Sequence, residues 1–192
     1  SSTSRGLGDV YKRQAYAIAK IAGIKMCESY NIQYKTNYKC LMPTNTFGPN
    51  DHYNALNSHF LPALIKKVHD LKLNNKKELT LWGNGLAKRE VIYVDDLADA
   101  CIFFMKKSFS GTTLNIGTGK DFSIKQYAKI ILNKIMPKNK IKIKYDLSKP
   151  NGTPRKVLDI KLANKYGWKP QTKLDNAITK TYKSFLENNK IV

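Results

Sequence analysis

The chain has 192 residues, 42% of them hydrophobic, 25% charged, and a net charge of +20. With only 7 Pro and 11 Gly, it is globular stock rather than a disordered tail, and one or two domains could each bury a core. The charge invites a nucleic-acid partner. Only Arg5, Arg13, Arg89 and Arg155 are arginine, however, and the lysines spread along the whole chain, so the charge reads as solvated surface.

Residues 1–14 (SSTSRGLGDVYKRQ) have no clear period and differ from the rest of the chain. They are set apart as a foreign, adapter-derived leader, and the native chain is expected to span 15–192. From Ala15 to about Tyr34, apolar residues recur at helical spacing (Ile18, Ile21, Ala22, Met26, Tyr30), which predicts a helix starting near Tyr16. A strand over Tyr38 to Met42 should end at Pro43. Ser58 to Leu71 reads as a helix capped at Ser58, with Pro62 tolerated in its first turn. Strands over Leu79 to Trp82 and Glu90 to Val94 flank the Gly83-Asn84-Gly85 turn. Asp95 or Asp96 should cap a helix to Lys107. A strand over Thr113 to Ile116 precedes Gly117-Thr118-Gly119, and Ser123 should cap a helix to about Met136. Further strands are predicted over Ile141 to Tyr145, in the Lys134 to Lys144 run where Lys alternates with Ile, and near Val157 to Asp159. Then come a short helix, Ile160 to Tyr166, stopped by Gly167, and a last helix from about Leu174 to Asn188. Strands alternating with helices predict an α/β or α+β class.

No apolar run reaches the roughly 18 residues of a membrane span. Cys27, Cys40 and Cys101 form no CxxC pair and no Cys/His ligand spacing. A reducing, cytoplasmic compartment is expected, with no metal.

Five segments could carry chemistry. Tyr16-Ala17-Ile18-Ala19-Lys20 places a phenol and an ammonium on one helix face. A neighbouring ammonium favours a phenolate, so such a pair can pass a proton to or from a carbonyl oxygen. The bland alternative is a surface Tyr beside a solvated Lys. Pro43-Thr44-Asn45-Thr46-Phe47-Gly48-Pro49-Asn50-Asp51 comes directly after a strand, where an α/β sheet builds its site loops, and could equally be a tight turn. His59, in Asn57-Ser58-His59, is a candidate proton donor or a structural histidine. Trp82-Gly83-Asn84-Gly85 with Lys88-Arg89-Glu90 and Asp95-Asp96 offers an aromatic face and a guanidinium, which suit a base or sugar and a phosphate. Its alternative is a hairpin with a surface ion pair. Lys149-Pro150-Asn151-Gly152-Thr153-Pro154-Arg155-Lys156 is a rigid loop whose arginine suits a diphosphate.

In this order, these residues resemble the GDP-L-fucose synthase family of extended short-chain dehydrogenase/reductases. The matching stretches are YAIAKIAGIKMCESYNIQY, MPTNTFGPND, NSHFLPALIKK, WGNGLAKREVIYVDDLADA, NIGTGKDFSI and KPNGTPRKVLD. YxxxK and VDDLA-like segments are common to the superfamily, whereas NSH…PALI and KPxGTPRK are more specific. The resemblance implies C3 and C5 epimerisation of a GDP-4-keto-6-deoxy sugar, then reduction of its C4 ketone by NADPH. It implies Tyr16, Lys20 and His59 as catalytic residues. Tyr16, Lys20, Pro43, Thr44, Asn45, Thr46 and His59 would border the cofactor. Asn45, Lys67, Trp82, Arg89 and Arg155 would hold the substrate.

The family's Gly-rich opening turn, and the Ser and Cys that precede its YxxxK, have no counterpart here. The chain is therefore expected to be the C-terminal part of a Rossmann-like α/β enzyme. It would lack roughly 100 residues, the N-terminal half of a doubly wound sheet, and carry a small α/β substrate-binding domain interleaved with the rest. The piece alone is expected to be inactive. The resemblance also implies a homodimer for the full-length enzyme, with the YxxxK helix at the interface, and neither nucleic acid nor membrane as partner. Two competing readings are a related nucleotide-sugar epimerase/reductase and a basic nucleic-acid-binding module. The second predicts steeply salt-dependent DNA affinity.

Overall fold

The computed structural model describes residues 2–54 and 58–188, with side chains from residue 14 onward. Asn57 lies outside the described residues. The chain divides into two compact units, Ser1–Met42 with Ser108–Leu114, and Pro43–Lys107 with Asn115–Val192.

The first unit is dominated by one helix, α1 (Ser2–Tyr34). It runs unbroken through residues 2–14, so Tyr16 lies in its interior and not at its start. Beyond Tyr34 the chain turns through Lys35, at φ 56. Asn31 holds the turn: its Oδ1 accepts from Tyr38 N (2.7 Å) and Thr36 Oγ1 (3.0 Å), and its Nδ2 donates to Tyr38 O (2.9 Å). Lys39 Nζ donates to the carbonyls of Phe109 (2.6 Å) and Gly111 (2.7 Å). Strand β1 (Cys40–Pro43) pairs with β5 (Thr113–Ile116), and the chain passes between units along these strands.

The second unit is built around β4 (Lys88–Tyr93). Its C-terminal half pairs in parallel with β2 (Asn45–Phe47), in the register Asn45↔Val91 to Phe47↔Tyr93. Its N-terminal half pairs with two short strands. Strand β6 (Asp121–Ser123) is antiparallel to it (Arg89↔Phe122), and β8 (Arg155–Lys156) is parallel (Lys88↔Arg155). A separate parallel pair joins β3 (Glu78–Trp82) to β7 (Lys142–Asp146). The strands flanking Gly83-Asn84-Gly85 are thus no hairpin. The turn's glycines, at φ 65 and φ 70, send β3 and β4 to different partners.

Helices α2 (Phe60–Leu73), α4 (Ile124–Ile135) and α6 (Leu174–Asn188) carry the core. Leu61, Leu64, Ile65, Val68 and Leu71 form one buried stripe of α2. They pack with Leu79 and Leu81 of β3, Ile131 and Ile135 of α4, and Ala177 and Ile178 of α6. Each fully buried Leu or Ile contributes about 1.5–3 kcal/mol of transfer free energy. Pro62 sits in the first turn of α2, where a missing N–H costs nothing.

The caps differ from expectation at two of three helices. Ser123 caps α4 in a full capping box: Ser123 Oγ accepts from Gln126 N at 3.2 Å, and Ser123 N donates to Gln126 Oε1 at 2.7 Å. At α2 the N-cap residue is His59, with no side-chain cap bond, and Ser58 Oγ is buried without a partner. Helix α3 (Val94–Lys106) has Tyr93 as N-cap, again without a side-chain cap. Asp96 does not cap it because that carboxylate is drawn across to the loop before α6, accepting from Gln171 N (3.1 Å) and from Thr172 N and Oγ1 (3.1 and 3.0 Å). The short helix α5 (Lys161–Lys165) ends at Gly167, φ 95, as expected.

Candidate functional site

Of the residues singled out in the sequence, Tyr16 and Lys20 belong to the first unit and the rest to the second. On α1, Lys20 Nζ lies 5.4 Å from the Tyr16 ring centroid, one turn on, and the phenol is 67% exposed. An accessible phenol with an ammonium beside it can meet a carbonyl oxygen and a sugar hydroxyl.

In the second unit, Pro43 is exposed at the end of β1, and Thr44, Asn45 and Thr46 come next as half-buried residues leading into β2. Thr44 Oγ1 (3.2 Å) and Asn45 Nδ2 (3.0 Å) both donate to the main-chain oxygen of Glu90. Thr46 Oγ1 turns back to Thr44 O at 3.3 Å. These polar side chains are thereby tied to β4. His59 is exposed at the N-terminus of α2.

Apart from Asn45, the residues expected to hold a substrate fall into two groups. Lys67 of α2 and Trp82 at the end of β3 meet directly, the ammonium 5.1 Å from the indole centroid. Burial pulls Lys67 below the usual lysine value. Lys149 Nζ lies 5.9 Å from the same centroid, so two cations flank one half-exposed indole. Beside them is a cavity of about 270 Å³, lined by Ser58, Lys67, Trp82, Pro150 and Asn151 among others. Asn151 Oδ1 accepts from Asn84 N at 2.7 Å, which fastens the 149–156 loop to the turn after Trp82. Arg89 lies under the same loop: its Nη1 donates to Thr153 O at 2.6 Å, and a Cβ on Gly152 would come within 3.1 Å of Nη2. Burial lowers the Arg89 pKa from its ordinary value.

Arg155 is engaged elsewhere. Its Nε (2.6 Å) and Nη2 (3.2 Å) both donate to the Asp121 carboxylate. That pair uses the Nε–Nη2 edge of the guanidinium and leaves Nη1 outside it, on a side chain that is 62% exposed. The loop cation facing Trp82 is instead Lys149, at the other end of the motif whose arginine the sequence favours. Asn151 and Ser58 also line the cavity beside Trp82, and sequence reasoning does not single them out for it. Asn151 escapes notice because its hydrogen bond to Asn84 spans 67 residues.

The exposed Tyr16–Lys20 face suits the nicotinamide-ribose end of a dinucleotide. The described glycine turns offer no cradle for a pyrophosphate. The Gly117-Thr118-Gly119 turn comes after β5 but leads into a strand, and the N–H groups of Thr118 and Gly119 already donate to the Glu90 carboxylate. Among the described residues there is no cluster of metal-ligating side chains, and no helix long and apolar enough to cross a membrane.

Known proteins share much of this sequence and geometry. A family model described as "NAD dependent epimerase/dehydratase family" matches residues 2–117. GDP-L-fucose synthase 1 of Arabidopsis thaliana is 41% identical over 173 residues, 90% of this chain and 53% of the relative. GDP-L-fucose synthase of Escherichia coli is 40% identical over 184 residues, 91% of this chain and 57% of the relative. The chain thus spans about half the length of the curated relatives it matches. Among solved structures, a GDP-L-fucose synthetase from Naegleria fowleri bound to NADP is similar at TM-score 0.82 and 26% identity, covering 93% of this chain and 57% of that one.

Proposed function

We infer the function from kinship: the chain belongs to the NAD dependent epimerase/dehydratase family. Within it, we propose that the chain is the substrate-binding half of a GDP-L-fucose synthase, which converts GDP-4-dehydro-6-deoxy-D-mannose to GDP-L-fucose. The observation that carries this reading is the indole of Trp82 between Lys67 and Lys149, with Arg89 held under the adjoining loop. An aromatic face with two cations over it and a third under the adjoining loop suits a nucleotide sugar, whose diphosphate carries the charge they offset.

Protons at C3 and C5 lie next to the C4 ketone and are acidic enough for a side-chain base. His59 would return a proton at these carbons from the opposite face. Tyr16 would give its proton to the C4 oxygen, with Lys20 stabilising the negative charge left behind. Lys20, Tyr16, His59 and the Pro43, Thr44, Asn45 and Thr46 segment would hold the nicotinamide-ribose end of NADPH, and Asn45 would also reach the sugar. When bound, the reduced nicotinamide supplies the hydride for C4. Arg155 would act indirectly, fixing the loop through Asp121. The full-length enzyme is proposed to be a cytoplasmic homodimer with no nucleic-acid partner. Residues 1–14 are proposed to be foreign to it.

Titrating the chain with GDP tests the reading. Trp82 is exposed and Trp168 buried, and the Trp82→Phe variant assigns a fluorescence change to one or the other. Saturable quenching by GDP, lost in Trp82→Phe and at least about tenfold weaker with UDP, is the expected result. Equal response to UDP would move the chain to another nucleotide-sugar enzyme. No response would remove the assignment.

A further inference from the structure

Glu90 belongs to none of the groups assigned above, yet it is a fully buried carboxylate at the middle of β4. Its Oε1 accepts from Thr118 N at 2.6 Å, Gly119 N at 2.7 Å and Thr118 Oγ1 at 3.3 Å. Its Oε2 accepts from Leu158 N at 2.7 Å. A Cβ at Gly117 would lie 2.3 Å from Oε1, so the glycine is what lets the carboxylate reach these donors. A carboxylate only accepts, which matches this set of donors, whereas an amide would turn an NH2 toward N–H groups.

Leu158 closes the 149–156 loop. Two of the loop's other ties also end on β4: Lys88 N donates to Pro154 O at 2.8 Å, and Arg89 Nη1 to Thr153 O. The main-chain oxygen of Glu90 accepts from Thr44 and Asn45. One residue therefore meets the segment assigned to the cofactor and the loop assigned to the substrate. We propose that Glu90 is a positioning residue, its carboxylate setting the 149–158 loop over Trp82 and Arg89 while its main chain sets the Thr44–Asn45 segment. The proposal rests on the reading that this loop holds the GDP group.

The test compares Glu90→Gln with Asp96→Asn in the full chain. Asp96 is also a buried carboxylate accepting main-chain N–H groups, but its donors lie before α6. It therefore controls for stability loss alone. Glu90→Gln should weaken GDP binding about tenfold or more and speed amide exchange at Thr118, Gly119 and Leu158 by a similar factor. Asp96→Asn should speed exchange at Gln171 and Thr172 and leave GDP affinity within about twofold. Equal loss of GDP affinity in both variants, or unchanged affinity in Glu90→Gln, overturns the proposal. In the wild-type chain, Thr118, Gly119 and Leu158 should exchange as one set, and independent exchange overturns it even where Glu90→Gln does not fold. A wild-type chain that ignores GDP sinks the functional reading instead, and the exchange data still decide whether Glu90 holds the loop.

Discussion

Lys67 is half-buried against the Trp82 indole, and desolvation lowers its pKa. In the folded chain it therefore binds its proton less tightly than in the unfolded one. Its charge costs the fold something at neutral pH, and that cost declines once pH rises past the lowered value and is gone above the ordinary lysine value. GDP binding has the opposite preference, because a diphosphate needs the ammonium. Affinity measured against pH should fall at lower pH than an ordinary exposed lysine would allow, and Lys67→Arg should flatten the profile. Asp121 shows the reverse case. The hydrogen bond from Arg155 lowers its pKa, so the pair contributes stability above the usual carboxylate range and loses it as pH falls through the depressed value. Arg155→Ala should lower Tm at neutral pH, with the gap to wild type closing in acid. If Arg155 only steadies the loop, GDP affinity should change less than when Arg89 is removed. A larger loss from Arg155→Ala would return it to the phosphate.

At the scale of elements, helices are legible in the sequence where one stripe of side chains does the packing. Helices α2, α4 and α6 lie within about two residues of their predicted bounds because their apolar spacing is local information. The Ser123 cap is legible for the same reason, since its partner Gln126 is three residues away. Ser123→Ala should cost about 1 kcal/mol, read from denaturant unfolding. Strands β6 and β8 are not legible where they form. Each is two or three residues long, too short to show a period, and exists because β4 offers both edges. Asp96 reads as a cap in the sequence because its true partners lie 75 residues on. The Arg155–Asp121 pair is not legible because Asp121 is 34 residues away, on a strand that local pattern does not show. The site's residue types are readable in the sequence. Their pairings, which decide which cation faces the indole, are not.

Across the whole molecule, apolar exposure concentrates on α1. Tyr16, Ile18, Ile21, Met26, Tyr30, Ile32 and Tyr34 are each at least 46% exposed. A surface of this kind binds apolar dyes and favours association. The chain should therefore enhance anilinonaphthalene sulfonate fluorescence and scatter light at high concentration, and Ile18→Lys with Ile21→Lys should reduce both. Its cysteines should separate by site. Cys101 is exposed, whereas burial, followed by the hydrogen bond with Cys27, pushes the Cys40 thiol up. Iodoacetamide should modify Cys101 well before Cys40 near neutral pH, with Cys40 catching up as pH rises, as followed by mass spectrometry.

The continuity of α1 bears on the proposed proton donor. A helix concentrates partial positive charge on the unpaired N–H groups of its first turn, and that field fades within about a turn. Tyr16 lies fourteen residues past Ser2, about 21 Å along the axis at 1.5 Å per residue. Its amide neighbours are already spent on the ladder, so the macrodipole lends the phenol nothing. Among the described side chains, the Lys20 ammonium is the cation found over the Tyr16 ring, 5.4 Å from its centroid. If Lys20 steadies the charge left on Tyr16 as proposed, Lys20→Met in a full-length enzyme should impair ketone reduction, read as lost NADPH oxidation.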